Sequence, residues 1–206
     1  MMWKSAVPLC ALLCVSAVLC PVYAGTINVP ADQPTIQAAI IAAGPGDEVV
    51  VAAGTYDENI DFIGKAITVR SAGAPAANAT ITGNGSGPVV TFANGETNAS
   101  VLYGFHVTGG HAVNGGGIYA WAASPTIRNC LIAANQADGS GGGIYTDGPR
   151  DGTYYPNTQI IDTQAHSNTA GGNGGGIFCA GRDVVISGCA ATKVSSAANC
   201  VPAAGN

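Results

Sequence analysis

Hydrophobic residues along the chain are concentrated in short runs rich in Val, Ile and Thr, and turn-forming residues separate these runs. Such short runs are typical of β-strands. A first strand is predicted at Thr26–Val29, and further strands at 48–52, 66–70, 79–82, 89–92 and 100–108. The separating segments are clusters of Gly, Pro, Asn and Asp, which favour turns. The pattern therefore predicts a chain built mainly from many short strands.

The segment between the first two strands has the pattern of a helix instead. Ile36 and Ile40 recur about one helical turn apart and share a face. Asp32 is the expected N-cap, Pro34 lies in the first turn, and Gly44 follows the expected end. We predict one amphipathic helix that covers the first turn of the following structure and shields its unpaired strand edge.

A six-residue motif recurs three times in the second half of the chain. It is Asn-Gly-Gly-Gly-Ile-Tyr at 114–119, Ser-Gly-Gly-Gly-Ile-Tyr at 140–145 and Asn-Gly-Gly-Gly-Ile-Phe at 173–178. Repetition at intervals of 26 and 33 residues is the signature of a solenoid, in which each coil buries its apolar face against its neighbours. At roughly 22 to 26 residues per coil, about six or seven coils are expected.

A second marker fixes the register of these coils. Asn135 and Asn168 each lie nine residues before the isoleucine of the next motif, so the longer interval must contain its extra residues upstream, within 146–157. We expect the two asparagines to form an internal column that satisfies backbone groups at a turn. The glycine triplets are expected at corners, where the backbone turns sharply between closely packed coils.

The charge content limits the classes of partner that the protein can bind. Charged residues make up 9% of the chain, and the formal net charge is −5. This acidic balance provides no electrostatic footprint for nucleic acid, so no nucleic-acid partner is expected. Equivalent residues of stacked coils lie about 4.8 Å apart, where like charges repel, and the low charge content therefore fits a solenoid.

Residues 1–24 have the organisation of a secretory signal peptide. Lys4 precedes an apolar run over 6–19, and small residues lead to Ala24. The apolar run is shorter than the roughly 20 residues that span a bilayer, so no transmembrane segment is expected after cleavage. Secretion or a cell-surface location follows. Residues 197–206 show no capping pattern, so the tail either covers the last coil irregularly or belongs to a longer protein.

Four cysteines lie outside the predicted signal peptide, and secretion permits disulfides. Cys130 and Cys189 occupy equivalent repeat positions with Thr163 on the coil between them, so we expect about 9.6 Å between them. This exceeds the roughly 7 Å limit for a disulfide, and the two are predicted not to pair with each other. Pairing of Cys189 with Cys200, pairing of Cys179 with either, and free buried thiols all stay open.

The N-terminal part of the chain resembles a known group of folds. The segments Thr35–Ile40, Gly54–Ile60 and Ile67–Arg70 look like the opening of right-handed parallel β-helix proteins with the pectin-lyase-like fold. The Gly-Gly-Gly-Ile repeats are similar to those of the polymorphic outer membrane proteins. The resemblance implies an all-β, right-handed parallel β-helix over residues 25–206 with an N-terminal capping helix. It says little about activity, because this fold hosts lyases, hydrolases, esterases, adhesins and inert scaffolds.

Motifs of two enzyme branches of this fold are missing from the sequence. Pectin methylesterases carry Gln-Asp-Thr, Asp-Phe-Ile-Phe-Gly and Gly-Arg-Pro-Trp elements, none of which occurs. Polygalacturonase-like hydrolases need neighbouring aspartates as acid and base, and the sequence has no paired Asp. Neither branch is supported.

A pectate-lyase-like polysaccharide lyase is the alternative that stays open, because it needs only a basic residue and a cation, usually Ca²⁺. The insertion supplies candidates for both. Arg150 is a possible base or carboxylate clamp, and Asp147 and Asp151 are possible cation ligands. Tyr154 and Tyr155 are candidates for stacking on sugar rings.

The sequence favours a scaffold over an enzyme. Outside the insertion, Trp121 is the remaining candidate for stacking on a glycan. His106, His111 and His166 lack metal-ligand spacing, so no metal site is predicted. With a full repeat and no recognised catalytic motif, we predict a secreted or cell-surface scaffold that binds polysaccharide or mediates adhesion. It has no identifiable catalytic centre, and only the lyase alternative calls for Ca²⁺.

Overall fold

The computed structural model of the chain describes residues 24–73, 78–149, 156–180, 184–191, 194–196 and 201–202. Within them lie one helix, α1 (Ile36–Ala42), and strands that form four parallel sheets. Sheet A contains β1 (Thr26–Val29), β2 (Glu48–Val51), β5 (Thr68–Ser71), β8 (Val101–Tyr103), β12 (Thr126–Arg128), β16 (Gln159–Ile161), β20 (Val185–Ser187) and β23 (Val201–Pro202). Sheet B contains β3 (Gly54–Asp57), β6 (Ala79–Thr82), β9 (Phe105–Thr108), β13 (Leu131–Ala133), β17 (Gln164–His166) and β21 (Ala190–Ala191).

The two remaining sheets complete each coil. Sheet C contains β4 (Ile60–Asp61), β7 (Val90–Phe92), β11 (Ile118–Trp121), β15 (Ile144–Asp147), β19 (Ile177–Cys179) and β22 (Val194–Ser196). Sheet D is short and contains β10 (His111–Ala112), β14 (Gln136–Ala137) and β18 (Thr169–Ala170). Successive strands visit sheets A, B and C in turn, with sheet D inserted in three coils, and they pair only with the coils before and after. This topology is the predicted parallel β-helix, with six strands in each of sheets B and C and hence six coils in the described residues.

The strand boundaries follow the predicted runs with one informative difference. The run predicted over 100–108 is divided into β8 and β9 by Gly104, which has φ +79°. At this corner the next two coils place Asn129 and Asp162, also with positive φ. The chain therefore turns from sheet A to sheet B through a single left-handed residue, which a pattern of apolar positions does not reveal.

The helix forms where predicted, but its N-cap is different. Thr35 caps α1, and its hydroxyl accepts from Ala38 N at 3.1 Å. The assignment of Asp32 as N-cap was wrong, because the Asp32 carboxylate instead accepts from the backbone and side-chain nitrogens of Asn28. The first-turn N–H groups of α1 donate to Glu58 at 2.9 Å each, so a carboxylate from the first coil stabilises the positive end of the helix.

The interior is built from aliphatic columns that run along the solenoid axis. One column in sheet A places equivalent side chains of six coils in register, and all are buried: Val49, Val69, Leu102, Ile127, Ile160 and Ile186. Burying such a side chain stabilises the fold by about 1.5 to 3 kcal/mol. Phe62 and Phe92 add a contact with ring centroids 4.3 Å apart. Each coil therefore depends on its neighbours to cover its apolar side chains.

The glycine triplets lie at the corner between sheets D and C, as predicted. The first glycine of each triplet has a left-handed backbone, with φ of +65° at Gly115, +69° at Gly141 and +64° at Gly174. The N–H groups of one triplet donate to the carbonyls of the next along the whole corner. The backbones thus approach too closely for side chains to fit between them. Glycine is therefore required at these positions by the shape of the corner.

Asn135 and Asn168 form the predicted internal column. Asn135 is 2% exposed, and its Nδ2 donates to Val107 O at 3.0 Å and to Asn168 Oδ1 at 3.1 Å. Its Oδ1 accepts from Gly110 N at 3.0 Å. Asn168 in turn donates to Ile132 O at 2.8 Å. The column satisfies backbone groups that the turn out of sheet B leaves without strand partners.

The cysteine arrangement agrees with the register prediction. Cys130 and Cys189 are both free, and Thr163 lies between them, with its hydroxyl accepting from Cys130 N. The prediction that these two cysteines do not pair with each other is confirmed. Cys179 is disulfide-bonded, and its partner lies outside the described residues, as does Cys200.

The two free thiols are expected to differ in reactivity. Burial raises the pKa of the Cys130 thiol to about 11, and it also raises the pKa of the half-buried Cys189 thiol. Because only the thiolate reacts, we expect Ellman's reagent at pH 8 to label Cys189 slowly in the folded protein and Cys130 only after unfolding. Peptide mapping after labelling, with and without guanidinium, checks this. The variant Cys189→Ala should lose native-state labelling, and labelling of Cys130 at the rate of a free thiol would contradict the burial described here.

Candidate functional site

The outer face of sheet C carries an aromatic cluster next to the insertion. Along β11 the side chains alternate, with Ile118 and Ala120 buried in the core and Tyr119 and Trp121 directed outwards. The register of sheet C then places the outward side chains of successive coils in columns. Trp121 is 37% exposed, so more than a third of its surface is open to solvent.

One of these columns is a continuous stack of rings. The rings of Tyr119 and Tyr145 lie 5.5 Å apart at 11°, and those of Tyr145 and Phe178 lie 5.1 Å apart at 12°. Tyr145 is 8% exposed, whereas Tyr119 and Phe178 are half-buried. Burial raises the pKa of Tyr119, and the negative charge of Asp147 raises it further. The stack is therefore a rigid apolar wall with a carboxylate close to it.

Asp147 connects this wall to the start of the insertion. Its Oδ2 accepts from the Tyr145 hydroxyl at 3.0 Å, and its Oδ1 accepts from Gly148 N at 2.8 Å. The side chain is buried, with an exposed residue fraction of 7%. The register pairs Asp147 directly with Trp121 on the preceding coil. The buried carboxylate thus fixes the Tyr145 hydroxyl, and the exposed indole beside it offers an apolar surface suited to stacking on a sugar ring.

Two of the six predicted ligand-binding residues fall in the described part of the chain, and the structure brings them together. These are Trp121 and Asp147, neighbours in the register of sheet C. The other four lie outside the described residues: Arg150, Asp151, Tyr154 and Tyr155. The insertion itself connects β15 to β16, as the interrupted repeat predicted. The catalytic role considered for Arg150 and the cation-binding role considered for Asp147 and Asp151 stay predictions.

The ring stack is not among the features predicted from the sequence. Its signal was present in the repeat, because an aromatic residue directly follows the isoleucine in all three motifs. Once the isoleucines are assigned to the core, the next residue on a strand must point outwards. Tyr119, Tyr145 and Phe178 were therefore predictable as an outward column, given the register that the motif supplies.

A second feature lies at the edge of sheet D. A shallow groove of about 420 Å³ runs between the loop Gly85–Pro88 and β10. His111 and Asp138 line it and form a hydrogen-bonded pair, with Nε2 and Oδ1 2.9 Å apart. Both side chains are largely exposed, and Val113 beside them is 71% exposed.

Among the described residues, no three His, Cys, Asp or Glu side chains are grouped so that they could hold a metal ion. The same part of the chain contains no helix with the length and apolar character needed to cross a bilayer.

The topology defines the chain as a parallel β-helix protein. Among solved structures, the chain is similar to the pectin methylesterase from Aspergillus niger in its deglycosylated form. The two share 15% sequence identity over 86% of this chain and 81% of that chain, with a TM-score of 0.41. No family model and no curated protein matches the chain. An identity of 15% transfers no residue role between the two proteins.

Proposed function

We propose that this protein is a secreted or cell-surface β-helix scaffold that binds a polysaccharide on the outer face of sheet C. The observation that carries the proposal is the exposed indole of Trp121 beside the Tyr119–Tyr145–Phe178 ring stack and the Asp147 carboxylate. Aromatic surfaces bind the apolar faces of sugar rings, and the buried Asp147 carboxylate fixes the Tyr145 hydroxyl beside this surface. A rigid sheet holds both groups in place before the ligand arrives, which lowers the entropic cost of binding.

Two further features support a location outside the cytoplasm. The sequence begins with the pattern of a signal peptide, at residues 1–24. Cys179 is disulfide-bonded, and disulfides persist mainly in oxidising compartments. An extracellular scaffold has access to the polysaccharides of cell walls and surfaces, which are long enough to contact several coils. Adhesion to such a surface would follow from binding alone.

The variant Trp121→Ala tests the proposed site. The purified protein is first screened against immobilised xylan, chitin, β-glucan and homogalacturonan, and the polymer bound most tightly is then used in calorimetric titrations. We expect the variant to bind this polymer about tenfold more weakly, because it loses a stacking partner at an exposed position.

Val113→Ala is the matched control, since it also truncates an exposed apolar side chain but lies outside sheet C. Its affinity for the polymer should equal that of the unaltered protein. Failure to bind any polymer of the panel, or equal losses in the two variants, would contradict the proposed site.

The same preparation distinguishes the scaffold from the lyase alternative. Incubation with polygalacturonate, with and without Ca²⁺, is followed by ultraviolet absorbance, because a lyase generates an unsaturated product. We expect no increase in absorbance under either condition. Ca²⁺-dependent product would show that the scaffold proposal is wrong and would direct attention to Arg150.

A further inference from the structure

The outer face of sheet A carries a column that the aromatic cluster of sheet C does not use. The register places Arg70, Tyr103 and Arg128 side by side on three successive coils. The Arg128 guanidinium lies over the Tyr103 ring, with its central carbon 5.8 Å from the ring centroid. We call these three outward-facing residues the sheet A column, which is distinct from the buried aliphatic column of the same sheet. Two cationic side chains thus flank one aromatic ring, in a protein whose net charge is −5.

The cations of the described residues differ in how they are neutralised. Lys65 donates to two backbone carbonyls at the C-terminal end of α1. Arg70 forms an ion pair with Glu48, with Nε 2.5 Å from Oε1 and Nη2 3.1 Å from Oε2. Arg128 is exposed and has no acidic partner within the described part of the chain. It is the one Lys or Arg there whose charge no described group compensates.

Arg128 and the neighbouring Tyr103 hydroxyl both offer hydrogen-bond donors. The oxygen of the Tyr103 hydroxyl accepts from Asn129 Nδ2 at 3.3 Å, and its O–H group can still donate to a ligand. Arg128 itself has five N–H donors and no acceptor. A ligand that satisfies these groups must supply acceptors, and an oxyanion does so with the strongest hydrogen bonds.

We propose that the sheet A column binds an acidic group of a polysaccharide, with Arg128 and the Tyr103 hydroxyl as its donors. The Tyr103 ring supplies an apolar surface for the sugar that carries the acidic group, and the donors hold its carboxylate or sulfate oxygens. Charge complementarity selects this ligand from neutral polymers of the same backbone. The site is separate from the one on sheet C, and the inference goes beyond the proposed function by assigning a second site and an acidic ligand.

Three polymers with one backbone test the charge requirement: dextran, carboxymethyl-dextran and dextran sulfate. We expect the full chain to bind one or both acidic polymers and to bind dextran at least tenfold more weakly. The variant Arg128→Gln should lose about tenfold in affinity for the acidic polymer that binds, and Tyr103→Phe about threefold. A loss for carboxymethyl-dextran alone identifies a carboxylate, and a loss for dextran sulfate alone identifies a sulfate.

Gln164→Glu is the matched control for net charge. It changes the charge by the same single unit as Arg128→Gln, but Gln164 is an exposed residue of sheet B. We expect its affinity to stay within about twofold of that of the unaltered protein, since Gln164 lies outside sheet A and salt screens surface charges that do not contact the ligand. Equal losses in Gln164→Glu and Arg128→Gln would overturn the site, because bulk charge would then explain binding. Loss of dextran affinity in Arg128→Gln would overturn its acidic specificity.

The sheet C variant keeps the two proposals distinguishable. Trp121→Ala is expected to leave the charge-dependent component of binding unchanged, measured as the difference between carboxymethyl-dextran and dextran. If Arg128→Gln has no effect while Trp121→Ala weakens polymer binding, the inference about sheet A fails and the proposed function stands. If Arg128→Gln weakens binding of the acidic polymer while Trp121→Ala has no effect on polymer binding, the sheet C site fails and the inference about sheet A stands.

Discussion

Replacing Gly142 with alanine is expected to destabilise the protein by at least about 3 kcal/mol, a large fraction of the 5 to 15 kcal/mol that stabilises a typical domain. Gly142 is the middle glycine of the second triplet, at the corner between sheets D and C. A Cβ there would overlap the carbonyl oxygen of Thr169 and lie 2.7 Å from Gly175 O. Both atoms belong to the backbone of the next coil, so no side-chain rotation relieves the clash. The substitution must push two coils apart.

Denaturant unfolding followed by far-ultraviolet circular dichroism measures this effect. Gly44→Ala is the matched control, because a Cβ at Gly44 meets only Asp47 Oδ2 at 3.5 Å, an ordinary contact. We expect the control to change the free energy of unfolding by less than about 1 kcal/mol. A Gly142→Ala protein as stable as the control would mean that the corners are less closely stacked than described.

Asn135→Ala is expected to cost about 3 kcal/mol for a different reason. The substitution removes three donor contacts of Nδ2, to the carbonyls of Val107 and Ala133 and to Asn168 Oδ1. It also removes the acceptor of Gly110 N. Because the site is buried, no water replaces the lost partners of these groups. Each hydrogen bond that is not made therefore lowers the free energy of unfolding.

Gln136→Ala provides the comparison for this substitution. Gln136 is the next residue, but it is exposed, and its backbone N–H keeps its bond to Gly110 O at 2.8 Å. Its unfolding free energy should stay within about 0.5 kcal/mol of that of the unaltered protein. The measured quantity is the denaturation midpoint at a constant m-value. A similar midpoint for both variants would show that the asparagine column contributes little to stability.

Much of the fold was predictable because a solenoid repeats its local requirements. The spacing of Ile118, Ile144 and Ile177 gave the register of sheet C, and the structure pairs these residues directly. The same register predicted the asparagine column and the separation of Cys130 from Cys189. What the pattern could not indicate was Gly104, where one left-handed residue replaces a whole turn, since such a corner leaves no cluster of turn-forming residues.

The capping of the helix and the composition of the candidate site could not be predicted where they depend on residues far apart in the sequence. Asp32 has the residue type of an N-cap, but Thr35 takes that position and Glu58 of the first coil binds the first-turn N–H groups. No local pattern reveals that a residue more than 20 positions away supplies the capping carboxylate. Of the predicted ligand-binding residues, Trp121 and Asp147 are neighbours because the register of sheet C pairs them, and their role in binding stays a prediction.

The corners of the solenoid differ in how much change they can accept during evolution. The glycine corner is fixed by coil-to-coil stacking, so an insertion there would interrupt the backbone hydrogen bonds that join the three triplets. The connection from sheet C to sheet A instead spans four residues after β11, eleven after β15 and five after β19. This flank therefore accepts insertions while the stacked glycine corner stays unchanged, and it is a suitable position for grafting a foreign loop in protein engineering.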